Sequence, residues 1–268
     1  MWRELWDWRT RAVARRNLLV YLRNWRSAFV PPVLEPVVMF LVFGMGLGSY
    51  VGSLRYQGRE VPYLEYVAPG ILTYTLFTTS FMESLYGSFV RMFYQKTFEG
   101  IAGTGVERVN IIWGEILWAS CRATMYAVCV SLVLAVFHLL GFISLSLGAL
   151  LFLIPIGAAA TVAFSSFGLL FTSRVPTIDH MNYPVFLVGV PLSLTSNTYF
   201  PVDQVHPWAA AAAQLNPLYH LSRLFRHALL GGGPEPWLII PLLVVAAAIL
   251  VLSSLAHRWM DRRIERES

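Results

Sequence analysis

Apolar residues in this chain come in long blocks, unlike the alternating or one-sided patterns of soluble strands and helices. Six blocks carry few charges and have the length that crosses a hydrocarbon core of about 30 Å, for which a helix needs roughly 20 residues. They cover 29–50, 66–92, 109–137, 145–172, 180–199 and 237–255. Backbone in lipid must satisfy its own N–H and C=O groups, so each block reads as a helix. The pattern predicts an all-α integral membrane protein with six transmembrane helices in a single domain over 1–268.

The connecting segments are not uniform. Residues 2–28 mix Trp2, Leu5, Trp6, Trp8, Val13 and Trp25 with seven arginines, a composition suited to a helix lying in the headgroup layer. Arg9 and Arg16 fall near its apolar arc, so a solvated leader is the alternative. The first span opens with Pro31, Pro32 and Pro36 and closes through Gly44, Gly46 and Gly48, which predicts a kinked or broken start. Around the polar segment 93–108, Arg91, Lys96, Glu99, Glu107 and Arg108 surround Gly100, Gly103 and Gly105, as a short helix and a turn would place them. The segment 200–236 is too polar and proline-broken to cross, yet too apolar for an ordinary loop. Its apolar pieces of about 8–14 residues favour short re-entrant or interfacial helices on the outer side, with a half-buried surface helix as the alternative. There Pro217 can open a helix capped by Asn216, and Gly231 to Gly233 would stop it.

Charge sets the orientation. Of the Lys and Arg residues, seven lie in the leader, three around 93–108, one before the fifth span and four in the tail. These fifteen stand against Arg55, Arg59, Arg223 and Arg226 on the other side, with Arg122 inside a span. The positive-inside rule then places both termini in the cytoplasm. The start lacks a basic stretch followed promptly by a short apolar core, so it is expected to be retained and not cleaved as a signal peptide. The net charge of +5 thus reads as a topology signal and not as a nucleic-acid footprint. With 56% hydrophobic and only 13% charged residues, against about 25% charged in soluble domains, a soluble enzyme and a disordered chain are excluded. Cys121 and Cys129, eight apart on one predicted helix, stand about 12 Å apart along its axis and cannot bond to each other.

Missing motifs narrow the function. The only lysine, Lys96, follows Gln95, so there is no GxxxxGK[ST] phosphate loop, and ATP-driven work must come from a partner. HExxH, CxxC and GxSxG are absent and the histidines are scattered, which leaves no catalytic residue and no metal site. Burying a charge in lipid costs several kcal/mol, so Glu35, Glu83, Glu115 and Arg122, inside apolar spans, are functional candidates. At about 1.5 Å per residue the three glutamates fall about 9–12 Å from the inner ends of their spans and Arg122 about 20 Å. Glu115 and Arg122 share a helix face, which Glu35 or Glu83 could approach from a neighbour. Such a set could lock helices together, line a conduit or carry protons. Span two also presents Tyr74, Phe77, Phe81 and Tyr86 among threonines, suited to sugar rings or lipid-like cargo, or equally to helix packing. A chain without a nucleotide site needs a place to receive force, and 93–108, the largest internal cytoplasmic segment, is the expected docking point.

Two stretches, APGILTYTLFTTSFMESLYGSFVRMFYQKTFEGIAGTGVERVNIIWGEILW and YFPVDQVHPWAAAAAQLNPLYHLSRLFRHALLG, resemble permease subunits of type-2 ABC exporters. They are similar to the nodulation-type lipo-oligosaccharide exporters and their drug-exporter relatives. FPVDQ and NPLYH carry the strongest part of the likeness, and FVRMFYQKTFEG aligns with the coupling region. The resemblance implies an N-terminal interfacial helix, a coupling helix after span two, and re-entrant helices before span six that hold Pro201, Asp203, Asn216 and Pro217. It further implies a homodimer in the bacterial inner membrane bound to two copies of an ATP-binding subunit, with ATP and Mg on that partner and no cofactor in this chain. Arg91, Glu99 and Glu107 are then expected to contact the ATPase. The implied cargo is amphipathic, such as a lipo-oligosaccharide, a polysaccharide or a glycolipid, moved outward. Drug or antibiotic export on the same fold is one alternative. Proton-coupled transport through Glu83 or Glu115 is the other, since fold-level likeness does not choose a substrate.

Overall fold

The computed structural model describes residues 2–24, 30, 34–35, 37–233 and 235–267. The expected proline-rich opening of the first span at Pro31, Pro32 and Pro36 lies outside the described residues, as does Trp25. Helix α1 is Trp8–Arg23, capped by Asp7, whose carboxylate accepts the Arg9 N–H at 3.0 Å. Helix α2, Val37–Val51, contains a π turn at Leu41–Leu47. A hairpin of β1, Ser53–Tyr56, and β2, Arg59–Pro62, follows, turning through Gln57 and Gly58, both at positive φ. Helix α3, Tyr63–Met82, runs on through π turns at Glu83–Gly87 and Val90–Tyr94. After Lys96, at φ +51°, comes the short α4, Thr97–Ala102. Then follow α5, Arg108–Leu139, and α6, Leu150–Thr172.

The fifth apolar block is a broken helix over 178–194, with Val185–Gly189 in π form, and gives way to turns before Phe200. Pro184 and Pro191 within it lack the N–H that a regular ladder needs. On the far side of those turns lie α7, Pro207–Gln214, and α8, Pro217–Leu229. The last helix, α9, is Ile239–Glu267. The charged tail beyond Leu255 therefore continues the helix where the hydropathy pattern ends it. Ala256, Met260 and Ile264, at four-residue spacing, are buried with Phe98 and Ile111 in an apolar cluster at this end of the bundle. Among the described residues, three helices are long and apolar enough to cross a membrane: Arg108–Leu139, Leu147–Thr172 and Pro236–Arg266.

Close helix crossings rest on small residues, as expected where lipid supplies no hydrophobic drive between helices. A methyl group at Gly168 of α6 would stand 2.7 Å from the Phe81 carbonyl oxygen of α3. One at Gly114 of α5 would stand 2.5 Å from Val13 of α1. The buried face of α1 is Thr10, Val13 and Asn17, which packs on α5, while Trp8, Leu19 and Val20 face outward. At the other end, α8 packs on α3 and α9. Its fully buried Arg226 donates Nε to the Tyr66 carbonyl at 3.0 Å and Nη2 to the Asn197 carbonyl, with the guanidinium 3.9 Å from the Tyr66 ring centre.

Candidate functional site

Four charged side chains meet between α1, α5 and the extension of α3. Arg91 Nη1 lies 2.8 Å from Glu83 Oε1, and Arg91 Nη2 lies 2.6 Å from Glu115 Oε2. Arg122 Nη1 pairs with the other oxygen of Glu83. Neutral donors complete the shell: Asn17 Nδ2 reaches Glu115 at 2.8 Å, Ser88 Oγ reaches it at 2.7 Å, and Trp118 Nε1 donates to Glu83 at 2.6 Å. Glu115 is 1% exposed and Glu83 6%, and the desolvation of these two carboxyl groups is offset by two guanidiniums and three neutral donors.

The π turns make this geometry. In a regular α-helix the eight residues from Glu83 to Arg91 turn about 800°, leaving the two side chains about 80° apart. A π turn takes up an additional residue, which restores a relation close to i and i+7, within about 20°. α-Helical spacing alone could not bring Arg91 onto Glu83. Arg91, expected among the docking residues, has its side chain 12% exposed and turned into the bundle. Asn17, Ser88 and Trp118 carry no sequence signal that would single them out. Tyr126, four residues after Arg122 on one helix face, does.

Beside the cluster lies a cavity of about 670 Å³, lined among others by Arg16, Tyr21, Glu35, Tyr74, Thr78, Thr79, Tyr86, Arg122 and Tyr126. Glu35 is exposed at its rim and joins none of the ion pairs described above. Of the four aromatic residues that could meet cargo or pack helices, Tyr74 and Tyr86 line this cavity. Phe77 and Phe81 turn away from it, stacked on each other with ring centres 5.4 Å apart, and pack on Phe164 and Phe167 of α6. These two phenylalanines edge a smaller cavity of about 140 Å³ against Val185 and Gly189.

The remaining polar residues of 93–108 are spread over three contacts. Lys96 and Glu99 pair at 2.7 Å on the surface of α4. Glu107 faces Arg9 of α1 at 3.8 Å, and Arg108 joins Asp261 and Glu265 of α9 at 3.5 and 2.7 Å. The polar intrusion in the apolar arc of α1 thus has a cause. Arg9 meets Glu107, and Arg16 reaches Thr97 at 3.5 Å, so that face meets the 93–108 segment. Phe98, fully buried, anchors α4 to α5 and α9.

In the segment between the fifth block and α9, Asn216 caps α8 by accepting the Leu218 N–H at 2.9 Å while its amide donates to the Leu192 carbonyl at 2.7 Å. Pro217 takes the first helical position. Asp203 accepts from Asn197 at 2.7 Å in the turn that follows Pro201. These four residues fix how the segment folds back on the broken helix. Among the described residues no group of three or more His, Cys, Asp or Glu side chains could hold a metal ion.

Residues 9–230 match the ABC-2 type transporter family. That range covers most of the chain and takes in the charged cluster, the cavity and α8. The chain belongs to the ABC-2 type transporter family. It is 31% identical over 220 residues to Nodulation protein J of Rhizobium leguminosarum bv. viciae, covering 82% of each chain. Nodulation protein J of Sinorhizobium fredii is 31% identical over 231 residues, 85% of this chain and 84% of that one. The inner membrane transport permease YadH of Escherichia coli K12 is 23% identical over 251 residues, 91% and 92% of the two chains. As an ABC-2 member this chain is a multi-pass membrane permease, the transport subunit of an ABC exporter.

Proposed function

We propose that this permease moves an amphipathic substrate with a sugar-bearing head, of the lipo-oligosaccharide, polysaccharide or glycolipid kind, outward across a bacterial inner membrane. Two copies of the chain bind two copies of an ATP-binding subunit, which carries ATP and Mg. Each copy crosses the bilayer six times with both termini in the cytoplasm, α1 lies at the inner surface, and α7 and α8 re-enter from outside. The single chain of 1–268 forms one domain.

The observation that carries this reading is the cavity of about 670 Å³, which joins phenols and threonine hydroxyls to a charged wall inside an ABC-2 permease. The likeness to proteins named Nodulation protein J supports the substrate class. Glu83 and Glu115 are each held by guanidinium groups, which argues for ATP-driven work over proton carriage by either carboxylate. Force arrives at α4, where Lys96 and Glu99 stand half-exposed, and passes through Phe98 into the bundle, with Glu107 and Arg108 tying the same segment to α1 and α9. Such rigid-body switching suits packed helices with two discrete arrangements.

Proteoliposomes holding this chain and its co-purified ATP-binding protein test the proposal. ATP-dependent movement of a fluorescent glycolipid is expected, and Glu99→Lys is expected to leave ATP hydrolysis running while that movement stops. Movement driven by a proton gradient with no ATPase present would overturn the proposal. Drug dyes moved in preference to glycolipid would assign the alternative cargo.

A further inference from the structure

Arg91 and Arg122 share one carboxylate but differ in what surrounds them. Arg91 is enclosed, with Nε and both Nη groups directed at Glu83, Glu115 and Ser88. Arg122 holds Glu83 with Nη1 and the Tyr126 hydroxyl with Nη2 at 3.3 Å, while its buried Nε has no acceptor. Its side chain is 29% exposed, and it lines the large cavity. The rings of Tyr21 and Tyr126 flank it, with the guanidinium carbon 5.2 and 5.5 Å from their centres. Glu83 and Tyr126 thus hold this guanidinium in one orientation, and its exposed part on the cavity wall offers a fixed positive charge to an oxyanion.

Charge along the cavity is uneven. Glu83 already serves Arg91, Arg122 and Trp118, so Arg122 has half a carboxylate. Arg16, also lining the cavity, donates to the Asn17 amide oxygen at 2.9 Å and to the Thr97 hydroxyl at 3.5 Å, both uncharged. Among the described residues the other carboxylate lining the cavity is Glu35, which with Tyr74 also lines a small adjoining cavity reaching Tyr199. Arg16, Arg91 and Arg122 on the wall thus outnumber Glu35 and Glu83. Val20, Met82 and Val90 add apolar wall. A volume of about 670 Å³ suits one headgroup with the start of its tail and not a folded polymer.

We propose that Arg122 and Arg16 form a subsite for an anionic oxygen group, a phosphate, sulfate or carboxylate, on the head of the amphiphile that the permease carries. This rests on the export reading above and adds a charge requirement to it. The Tyr21 and Tyr126 rings pack beside the bound group, and the tail leaves along Val20 and Val90.

The purified full chain in phosphatidylcholine nanodiscs, with empty nanodiscs as background, tests the subsite through binding of radiolabelled dodecyl phosphate. Saturable binding is expected, with dodecyl maltoside and dodecyltrimethylammonium competing about tenfold or more weakly. Arg16→Gln should weaken binding about tenfold, the size of one charge-assisted hydrogen bond. The double variant E83Q/R122Q removes both members of the pair together and should abolish saturable binding. If it does not fold, Arg16→Gln and Tyr126→Ala decide. Equal competition by all three amphiphiles, or binding that these variants leave unchanged, overturns the subsite. So does displacement by inorganic phosphate at the same concentration, which would assign a free anion, or by phosphatidylglycerol in the disc, which would assign a resident lipid. ATP-driven glycolipid movement without this binding sinks the subsite alone. Saturable binding without any ATP-driven movement sinks the export reading and leaves the subsite standing.

Discussion

The bundle has two halves of different construction. Helices α5, α6 and α9 are unbroken α-helix over Arg108–Leu139, Leu150–Thr172 and Ile239–Glu267. They are tied by hydroxyl pairs, Ser120 to Ser165 at 3.2 Å and Ser166 to Ser253 at 2.9 Å. The other half, α2, the extension of α3 and the broken helix 178–194, contains every π turn among the described residues: Leu41–Leu47, Glu83–Gly87, Val90–Tyr94 and Val185–Gly189. Both cavities that touch Tyr74 and Met82 draw wall residues from this second half, Tyr86 and Val90 in the larger and Val185 and Gly189 in the smaller, while α1 and α5 complete the larger with Tyr21, Arg122 and Tyr126. A π turn holds one residue more than the ladder around it, and such turns are frequent at functional sites. The contrast teaches that the first half is a scaffold and the second is where side chains are re-aimed, with the ion cluster as the clamp between them.

Breaking that clamp is expected to give the largest effect. Glu115→Ala strips Arg91 of the carboxylate that two of its nitrogens hold and leaves Asn17 and Ser88 without an acceptor. Removing one partner of a buried pair costs about 3–5 kcal/mol. The check is thermal unfolding of purified protein followed by size-exclusion, with Glu35→Ala as control. Glu35 is exposed and outside the ion pairs of the cluster, so its loss should stay within about 0.5 kcal/mol. Equal destabilisation by the two variants would mean that the cluster is not the clamp.

Next in size is a wedge driven between the halves. Gly168→Val places its side chain against the Phe81 carbonyl and Ser84, where a Cβ would already be 2.7 and 2.8 Å away. Overpacking of this kind costs about 1–3 kcal/mol. It should also displace the π turn at Glu83, because Thr172 donates to the Ser84 and Leu85 carbonyls from the same helix face, at 2.9 and 3.0 Å. Gly148→Val, with nothing within 4 Å of the added group, is the paired control. Cysteine accessibility at position 86 in the cavity wall, measured in both backgrounds, would separate a moved π turn from simple loss of stability. Unchanged accessibility with Gly168→Val would show the two halves to be uncoupled at this crossing.

The same division explains what could be read from the chain. The scaffold was legible: α5, α6 and much of α9 are long apolar blocks, and blocks of that length have few alternatives in lipid. Asn216 and Pro217 announced α8 by cap chemistry, and Gly231, at φ +79°, stands just past its end as a stop signal should. The tail of α9 was hidden because its burial at Ala256, Met260 and Ile264 is against Phe98 and Ile111, which are far away in sequence. In the site, spacing put Glu115 and Arg122 on one helix face and left open whether Glu35 or Glu83 approaches it; in the structure Glu83 pairs with Arg122. Arg91 was not legible there, since an α-helical count points it elsewhere and only a π turn brings it round. For Phe77 and Phe81 the sequence left cargo contact and helix packing both open, because an aromatic face serves either, and which neighbour it meets is decided by α6.

The smallest effect on stability should come from α4, and it sharpens the comparison most on the functional side. Lys96 and Glu99 pair three residues apart, both about half exposed. A pair of this kind contributes only about 0.2–0.5 kcal/mol to a helix. Glu99→Lys both loses that contact and reverses a charge, so its effect on coupling has two explanations. The exchange K96E/E99K keeps a pair at the same spacing and reverses only what a partner meets. If α4 serves the bundle alone, the exchange should behave as the unaltered chain in both unfolding and ATP-driven glycolipid movement. If α4 is where the ATP-binding subunit presses, the exchange should unfold at the same temperature while movement per ATP hydrolysed falls as far as it does in Glu99→Lys. Recovery of movement in the exchange variant would place the role of these two residues inside the helix and remove them from the docking surface.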